Sequence, residues 1–475
     1  MKILLTGATG YIGKRLLPVL IEGGYEVVCC VRDSKRFNPS ESIKQKVSVI
    51  EIDFLDETTL DRVPKDIDGA YYLIHSMSSS KDYKSLEHTS ALNFKKSLEG
   101  STIKHVIYLS GIVNESELSD HLSSRRNVES ELGKGNYSFT TLRAGIIIGS
   151  GSASFEIIRD LVEKLPFMIT PKWLKTKCQP IGISDVILFL IKSLLNDKTY
   201  NRNFDIGGPD VLTYKEMLLG FAKFRNLKRT ILIVPVMTPK LSSYWLYFVT
   251  STSYKLAASL VDSMKIEVVC RDNTINSILE VEPIDYNYAL KKAFDKIESN
   301  EIISSWKDSY ASSGINFNVS DYIKVPVFGC FVDKRKRKFD NRESCLNKIW
   351  GIGGETGWYF GNWLWKLRGL LDKMVGGVGL RRGRTNPTSI KAGDAVDFWR
   401  VLYANKNDGR LLLFAEMKLP GEAWLEFKIV EDQLEQTATF RPLGILGRLY
   451  WYSVLPFHGL IFRGMIRNIT KHNKT

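Results

Sequence analysis

The chain has 475 residues, 44% hydrophobic and 25% charged, a globular balance that excludes disorder, collagen and coiled coil and implies more than one domain. Its net charge of +14 allows anionic partners such as nucleotides or anionic lipid, yet it is dispersed, without the aromatic–basic platform of a nucleic-acid binder, so no nucleic-acid partner is expected. Six cysteines with no C-x-x-C pair argue against a disulfide scaffold and a metal site, and point to a reducing, cytoplasmic setting.

No charged and apolar leader precedes Gly7, so a signal peptide is not expected. Short β-rich runs at 2–5, 25–31, 47–52, 70–74, 105–109 and 140–148 alternate with helical patterns at 11–21, 83–98 and 123–132. That alternation predicts an α/β fold with a doubly wound, Rossmann-type parallel sheet. Thr6-Gly7-Ala8-Thr9-Gly10-Tyr11-Ile12-Gly13 follows the first strand and opens the first helix. Gly7 suits the tight turn, Gly10 the close approach of a pyrophosphate, and Gly13 the packing of helix on strand. The helix N-terminus adds unpaired N–H groups and the positive end of its dipole.

The second strand ends in Val31-Arg32-Asp33, with Lys35 and Arg36 just beyond. Arg32 and Arg36 favour the 2′-phosphate of NADP, which a guanidinium meets with two charge-assisted bonds; Asp33 keeps NAD as the second reading. Asp53, followed by Phe54, ends the third strand where an adenine amino group would lie, and His75-Ser76 and Ser110 end the fourth and fifth. These carboxyl ends border the crevice in which open α/β sheets bind ligands.

Residues 155–165, 184–195 and 214–224 read as helices, 204–206 as a late strand, and 244–261 as an aromatic helical stretch suited to a pocket floor or lid. The dinucleotide-binding domain is assigned to 1–310, with 150–180 and 210–300 supplying the substrate side, and a second domain to 320–475. The five cations at 334–338 read as a solvated loop between them. Beyond it come β-like runs at 395–403, 411–417, 423–429 and 436–440, and an aromatic helix over 443–469. Pro456 and several arginines interrupt that helix, which suits packing on a sheet or lying on a membrane rather than spanning one. The density of Trp358, Trp363, Trp365, Trp399, Trp424 and Trp451 suits the filled core of an α+β domain, while the many glycines beside them suggest that the domain encloses an apolar pocket.

The motifs T-G-A-T-G-Y-I-G, V-R-D, I-D-F, Y-L-S-G, L-R-A-G-I-I-I-G-S-G and D-I-G-G-P-D-V-L-T-Y together resemble the extended and atypical short-chain dehydrogenase/reductase superfamily. Within it the chain looks most like the branch near NmrA-type regulators and the 39-kDa accessory subunit of respiratory complex I. G-W-Y, L-R-G-L-L-D, G-D-A-V-D-F-W-R-V and M-K-L-P-G-E-A-W-L resemble an uncharacterised bacterial C-terminal domain fused to such reductases, with a START-related helix-grip pattern. The superfamily resemblance implies a Ser beside a Tyr-x-x-x-Lys pair. Ser110 matches the Ser, but His121 and Arg125 stand where the Tyr and Lys would be. Histidine can exchange protons near neutrality whereas arginine cannot shuttle one, so Ser110, His121, Arg125 and His75 are the catalytic candidates. Two functions follow: an NADP(H)-dependent oxidoreductase for an apolar carbonyl, enone or quinone-like molecule, or a non-catalytic NAD(P)H-binding sensor or assembly factor. The setting is cytoplasmic, with peripheral contact to the inner membrane face as the other option.

Overall fold

The computed structural model describes residues 1–34, 41–74, 83–112, 120–234, 264–298, 330–375, 377–379 and 389–471, together with Phe37, Val325 and Arg384. The chain divides into two compact units, Met1–Gly314 and Ile315–Thr475. The helical stretch expected at 244–261 and the segment 311–319 between the two assigned domains lie outside the described residues.

In the first unit the strands are β1 (Lys2–Leu5), β2 (Glu26–Val31), β3 (Val47–Glu51), β4 (Gly69–Tyr72), β5 (His105–Gly111), β6 (Ser138–Ala144) and β7 (Arg202–Ile206). They form one seven-stranded parallel sheet in the order β3-β2-β1-β4-β5-β6-β7. The direction of winding reverses between β1 and β4, where Ile3 lies beside Val27 on one side and Gly69 on the other. Such switch points are where open sheets bind ligands.

The helices are α1 (Tyr11–Glu22), α2 (Tyr83–Ser97), α3 (Asp120–Leu132), α4 (Ala153–Lys164), α5 (Ile183–Ser193), α6 (Tyr214–Phe224) and α7 (Tyr286–Glu298). Leu16, Leu17 and Leu20 of α1 and Phe189 and Leu190 of α5 cover one face with Ile3, Val27, Cys29 and Ile107. Ala91 and Phe94 of α2 and Val128 and Leu132 of α3 cover the other with Leu4, Val28, Cys30 and Val106. Consecutive strand residues therefore feed opposite layers, which explains the Cys29-Cys30 pair: each thiol sits in a different core. Burial pushes the Cys29 thiol up to about 12 and raises that of Cys30 as well. A third cluster joins α4, α6 and α7 through Phe155, Phe221 and Phe294. The run expected as one strand over 140–148 is broken. β6 ends at Ala144, and Ile147 and Ile148 pair instead with Ile181 and Gly182. A Cβ on the intervening Gly145 would lie 2.6 Å from the Gln179 carbonyl, so the chain can pass there only without a side chain.

The second unit runs β8 (Phe331–Lys338), α8 (Arg342–Trp350), α9 (Asn362–Met374), β9 (Ala395–Val396), β10 (Trp399–Asn405), β11 (Arg410–Ala415), β12 (Gly421–Val430), β13 (Gln433–Pro442) and α10 (Gly444–Thr470). Its six strands form an antiparallel sheet in the order β8-β13-β12-β11-β10-β9. The terminal helix lies on it: Trp451 of α10 stacks on Phe331 and Phe440 at 5.3 and 5.8 Å. This long helix against an antiparallel sheet is the arrangement a helix-grip pattern implies.

Residues 334–338 are not a loop. They pair along their whole length with β13, from Lys334 opposite Thr437 to Lys338 opposite Gln433. Alternation resolves the like charges. Lys334 and Lys336 both reach Glu435, Lys338 reaches Asp432, and Arg335 meets Asp333 at 2.9 Å. Cations on an edge strand also discourage a further strand from adding there.

The aromatic residues expected around a pocket largely pack on one another. Trp358 lies 5.0 Å from Trp365 and 6.0 Å from Trp399, and all three belong to the buried core. An opening of about 520 Å³ in this unit is a shallow polar groove lined by Asn341, Glu343, Ser344, Asn347, Lys348 and Tyr359. Among the described residues no helix is long and apolar enough to cross a membrane.

Candidate functional site

The turn from β1 into α1 is set by what its backbone must touch. Gly7 adopts the left-handed conformation (φ +66°), and a Cβ there would lie 2.6 Å from the Leu73 carbonyl beyond β4. A Cβ on Gly13 would lie 2.3 Å from the Gly7 carbonyl. Both glycines are therefore demanded by the chain's own packing. Gly10 differs. It is exposed, its backbone is extended (φ −80°, ψ 174°), and the closest atom to a Cβ would be the Gly7 carbonyl at 3.1 Å. As the N-cap of α1 it offers no side-chain acceptor, so the first-turn amides of Tyr11, Ile12 and Gly13 have no side-chain cap. An uncapped helix start with open space above it suits a phosphate.

The other residues of the motif hold the turn in place. The Thr6 hydroxyl donates to the Tyr71 carbonyl and accepts from the Leu73 amide, both at 3.0 Å, which locks β1 to the end of β4. Thr9 is half-buried. Ile12 packs against the core beneath α1. The Arg15 guanidinium lies 3.9 Å from the Tyr11 ring centre and donates to the Tyr11 carbonyl at 3.2 Å and the Ser150 carbonyl at 2.8 Å. It thereby ties α1 to the loop that follows β6. Burial pushes the Tyr11 phenol up to about 12, against the pull of the Arg15 charge. A Cβ on Gly149 would lie 2.6 Å from that hydroxyl, so Gly149 is what lets the phenol approach. Arg15, Ser150 and Gly149 were not among the sequence candidates; the L-R-A-G-I-I-I-G-S-G string that contains two of them was the available signal.

At the end of β2, Arg32 is exposed and Asp33 is buried; Arg36 lies outside the described residues. At the end of β3 the Asp53 carboxylate accepts from the Leu55 amide at 3.0 Å, and the Thr59 hydroxyl donates to the Asp53 carbonyl at 3.0 Å. The Phe54 ring sits in the core 5.5 Å from Phe94, edge to face, so this residue presents backbone rather than ring to the crevice. His75 and Ser76 lie outside the described residues.

Ser110 is buried at the end of β5. Two residues earlier, burial pushes the Tyr108 phenol up to about 12, while the charge of Arg125 and the hydroxyl of Ser110 pull it back. The structure thus brings Ser110, Tyr108 and Arg125 together. Arg125 reaches them from α3, and its Nε is buried without a hydrogen-bond partner among the described residues. His121 occupies the first turn of α3, one helical turn before Arg125, and its side chain lies outside the described residues. Beside this group runs a chain of ion pairs that composition alone does not reveal. Arg143 of β6 binds Glu129 of α3 and lies 4.0 Å from Asp205 of β7, which Arg271 grips with two bonds of 2.8 and 2.9 Å. It fixes α3 against the carboxyl ends of β6 and β7. The described residues contain no cluster able to hold a metal ion.

The site can therefore accept a phosphate at α1, and it presents a buried hydroxyl, a phenol and a guanidinium at the end of β5. No phenol stands at the helical position that precedes Arg125 by four residues.

Comparison with known proteins agrees with the two-unit architecture. Residues 3–110 match the NAD dependent epimerase/dehydratase family, and residues 330–465 match the family described as Protein of unknown function (DUF2867). The divinyl chlorophyllide a 8-vinyl-reductase of Arabidopsis thaliana is 23% identical over 226 residues, 44% of this chain and 54% of that protein. A photosystem II assembly factor of Trieres chinensis is 22% identical over 213 residues, 44% of this chain and 64% of its own. The chain spans about half the length of the first of these relatives. The triphenylmethane reductase of Citrobacter sp. superposes with a TM-score of 0.51 at 15% identity, over 62% of this chain and 100% of the reductase, a likeness of fold. The chain therefore joins, in one polypeptide, an N-terminal segment that matches the NAD dependent epimerase/dehydratase family and a C-terminal segment that matches the DUF2867 family.

Proposed function

We propose that this protein is an NADP(H)-dependent oxidoreductase that reduces an apolar carbonyl, enone or quinone-like small molecule. The observation that carries the reading is the open, uncapped start of α1 under Gly10 at the β1/β4 switch point, where a dinucleotide pyrophosphate fits. Arg32, exposed at the end of β2, would meet the 2′-phosphate, and Asp53 the adenine. The cofactor supplies the hydride. Ser110 would donate a hydrogen bond to the substrate oxygen, Arg125 would hold positive charge beside it, and His121 or His75 would supply the proton. The related vinyl reductase supports a reducible, conjugated substrate class.

The second reading is a nucleotide-binding sensor or assembly factor that holds the dinucleotide without turnover. It is favoured by His121 and Arg125 in place of a Tyr and Lys, and by the related assembly factor. The full chain is titrated calorimetrically with NADPH and NADH, then mixed with NADPH and a panel of quinones and enones while the absorbance of the reduced nicotinamide is followed. Oxidation that Ser110→Ala slows supports the enzyme. Tight binding without oxidation of NADPH by any acceptor selects the sensor, and absence of binding removes both.

A further inference from the structure

The C-terminal domain carries an apolar face that its core does not use. α9 turns Trp365 inward, 6.3 Å from Phe462 of α10, but leaves Trp363, Leu367, Leu370, Leu371 and Met374 between 46% and 66% exposed. Those positions recur at steps of three and four, a stripe along one side of the helix. α10 repeats the pattern. It buries Trp451, Phe462, Met465 and Ile469 and exposes Leu446, Leu449, Phe457 and Leu460 by 54% to 73%. The two helices are neighbours, because Arg368 of α9 donates to the Tyr450 hydroxyl of α10 at 2.5 Å. Apolar area of this extent, presented by adjacent helices, marks a contact surface.

Charge selects the partner. α10 contains no carboxylate in its 27 residues. α9 contains Asp372, which is buried and accepts from the amides of Gly379 and Lys418 at 2.8 and 2.7 Å. The exposed charges of both helices are the cations Lys366, Arg448, Arg463 and Arg467. We propose that this face docks on the surface of an anionic phospholipid bilayer, with the leucines, Trp363 and Phe457 in the acyl boundary and the cations among the headgroup phosphates. Such a mode needs an amphipathic helix with cations and aromatic residues and no membrane span, which matches both helices. A second copy meeting the same face would bring like cations together with no carboxylate between them.

The test is flotation of the full chain with vesicles of phosphatidylcholine alone and of phosphatidylcholine and phosphatidylglycerol in equal parts. Binding to the anionic vesicles stronger by about tenfold or more, and weakened by added salt, is expected. The Leu371→Asp/Leu460→Asp double variant should lose about tenfold or more of that binding with unchanged far-ultraviolet circular dichroism, because both positions are exposed. Arg448→Glu/Arg463→Glu should abolish the preference for anionic lipid. Failure to bind either vesicle, or binding that neither variant changes, overturns the proposal. Solvent labelling of Trp363 in the vesicle-free chain completes the test, and strong labelling supports an open face. Protection that persists on dilution would assign the face to contact within the chain, and protection lost on dilution to a second copy; either result overturns the proposal.

Discussion

Two glycines three residues apart, Gly10 and Gly13, should fail in opposite ways. In Gly13→Ala the new methyl would lie 2.3 Å from the Gly7 carbonyl and 2.9 Å from the Ala8 Cα, both backbone. Relief requires α1 to slide off its turn by about an ångström, since unstrained heavy-atom contacts begin near 3.5 Å. Overpacking of that kind costs roughly 1–3 kcal/mol, which lowers the melting temperature of a domain this size by about 5 °C. In Gly10→Ala the backbone is already extended, so the methyl is tolerated and the cost stays under about 1 kcal/mol. The same methyl occupies the space the pyrophosphate needs, and binding should weaken by about tenfold or more. Thermal unfolding followed by circular dichroism and calorimetric titration with NADPH read the two effects separately. A Gly10→Ala protein that binds NADPH as tightly as the parent, or a Gly13→Ala protein that melts with it, would refute the division of labour.

Arg32→Ala should reduce the preference for NADPH over NADH by about 1 kcal/mol, roughly fivefold, because the exposed guanidinium acts through solvent; equal preference in parent and variant would count against the 2′-phosphate role. Acid should loosen the N-terminal domain through His105, whose Nδ1 accepts from the Leu195 amide at 3.0 Å while Nε2 faces the Thr140 hydroxyl at 2.8 Å. Burial lowers this imidazole from 6.5 to about 4, so its contribution is complete above 6.5 and is lost as pH falls toward 4. That loss is about 2 kcal/mol between pH 7 and pH 5, read as a fall in urea midpoint that His105→Gln should flatten. In the C-terminal domain Glu416→Ala should cost roughly 3–5 kcal/mol, since it leaves the fully buried Arg400 without its carboxylate; Arg400→Met with Glu416→Leu should cost less, and thermal unfolding of both variants decides.

The parallel sheet is legible because strands buried on both faces read as unbroken apolar runs, and the T-G-A-T-G-Y-I-G turn marks the crevice. The spacing of its glycines already separates Gly10 from Gly7 and Gly13; what sequence does not supply is the Leu73 carbonyl just beyond β4 that closes on Gly7. Arg125 was found by alignment to a motif, but its buried, unpartnered Nε and its nearness to Tyr108 arise from the packing of α3 on β5. The Arg143–Asp205–Arg271 chain joins residues more than sixty positions apart, and no local pattern announces it. The run at 334–338 reads as a loop for a physical reason: like charges look solvated in one dimension, and Glu435 of the strand opposite and Asp432 just before it lie about a hundred residues away in sequence. The density of tryptophans is compatible with a filled core or a pocket lining, and the contacts of Trp358 with Trp365 and Trp399 are those of a core.

The pairing of β8 with β13 has a consequence for how the protein is made. The first strand of the C-terminal domain hydrogen-bonds to the last, Phe331 to Phe440, and is then covered by the helix that ends at Thr470. A ribosome releases residues in order, so β8 emerges about a hundred residues before β13, its one partner strand among the described residues, exists. Closing a loop that long is slow compared with local helix formation. Meanwhile the Rossmann-type unit already has all seven strands and can fold. The nascent chain should therefore carry a finished Rossmann-type unit and an unfinished second one until β13 and α10 have emerged, with the cationic side chains of β8 keeping that waiting strand soluble.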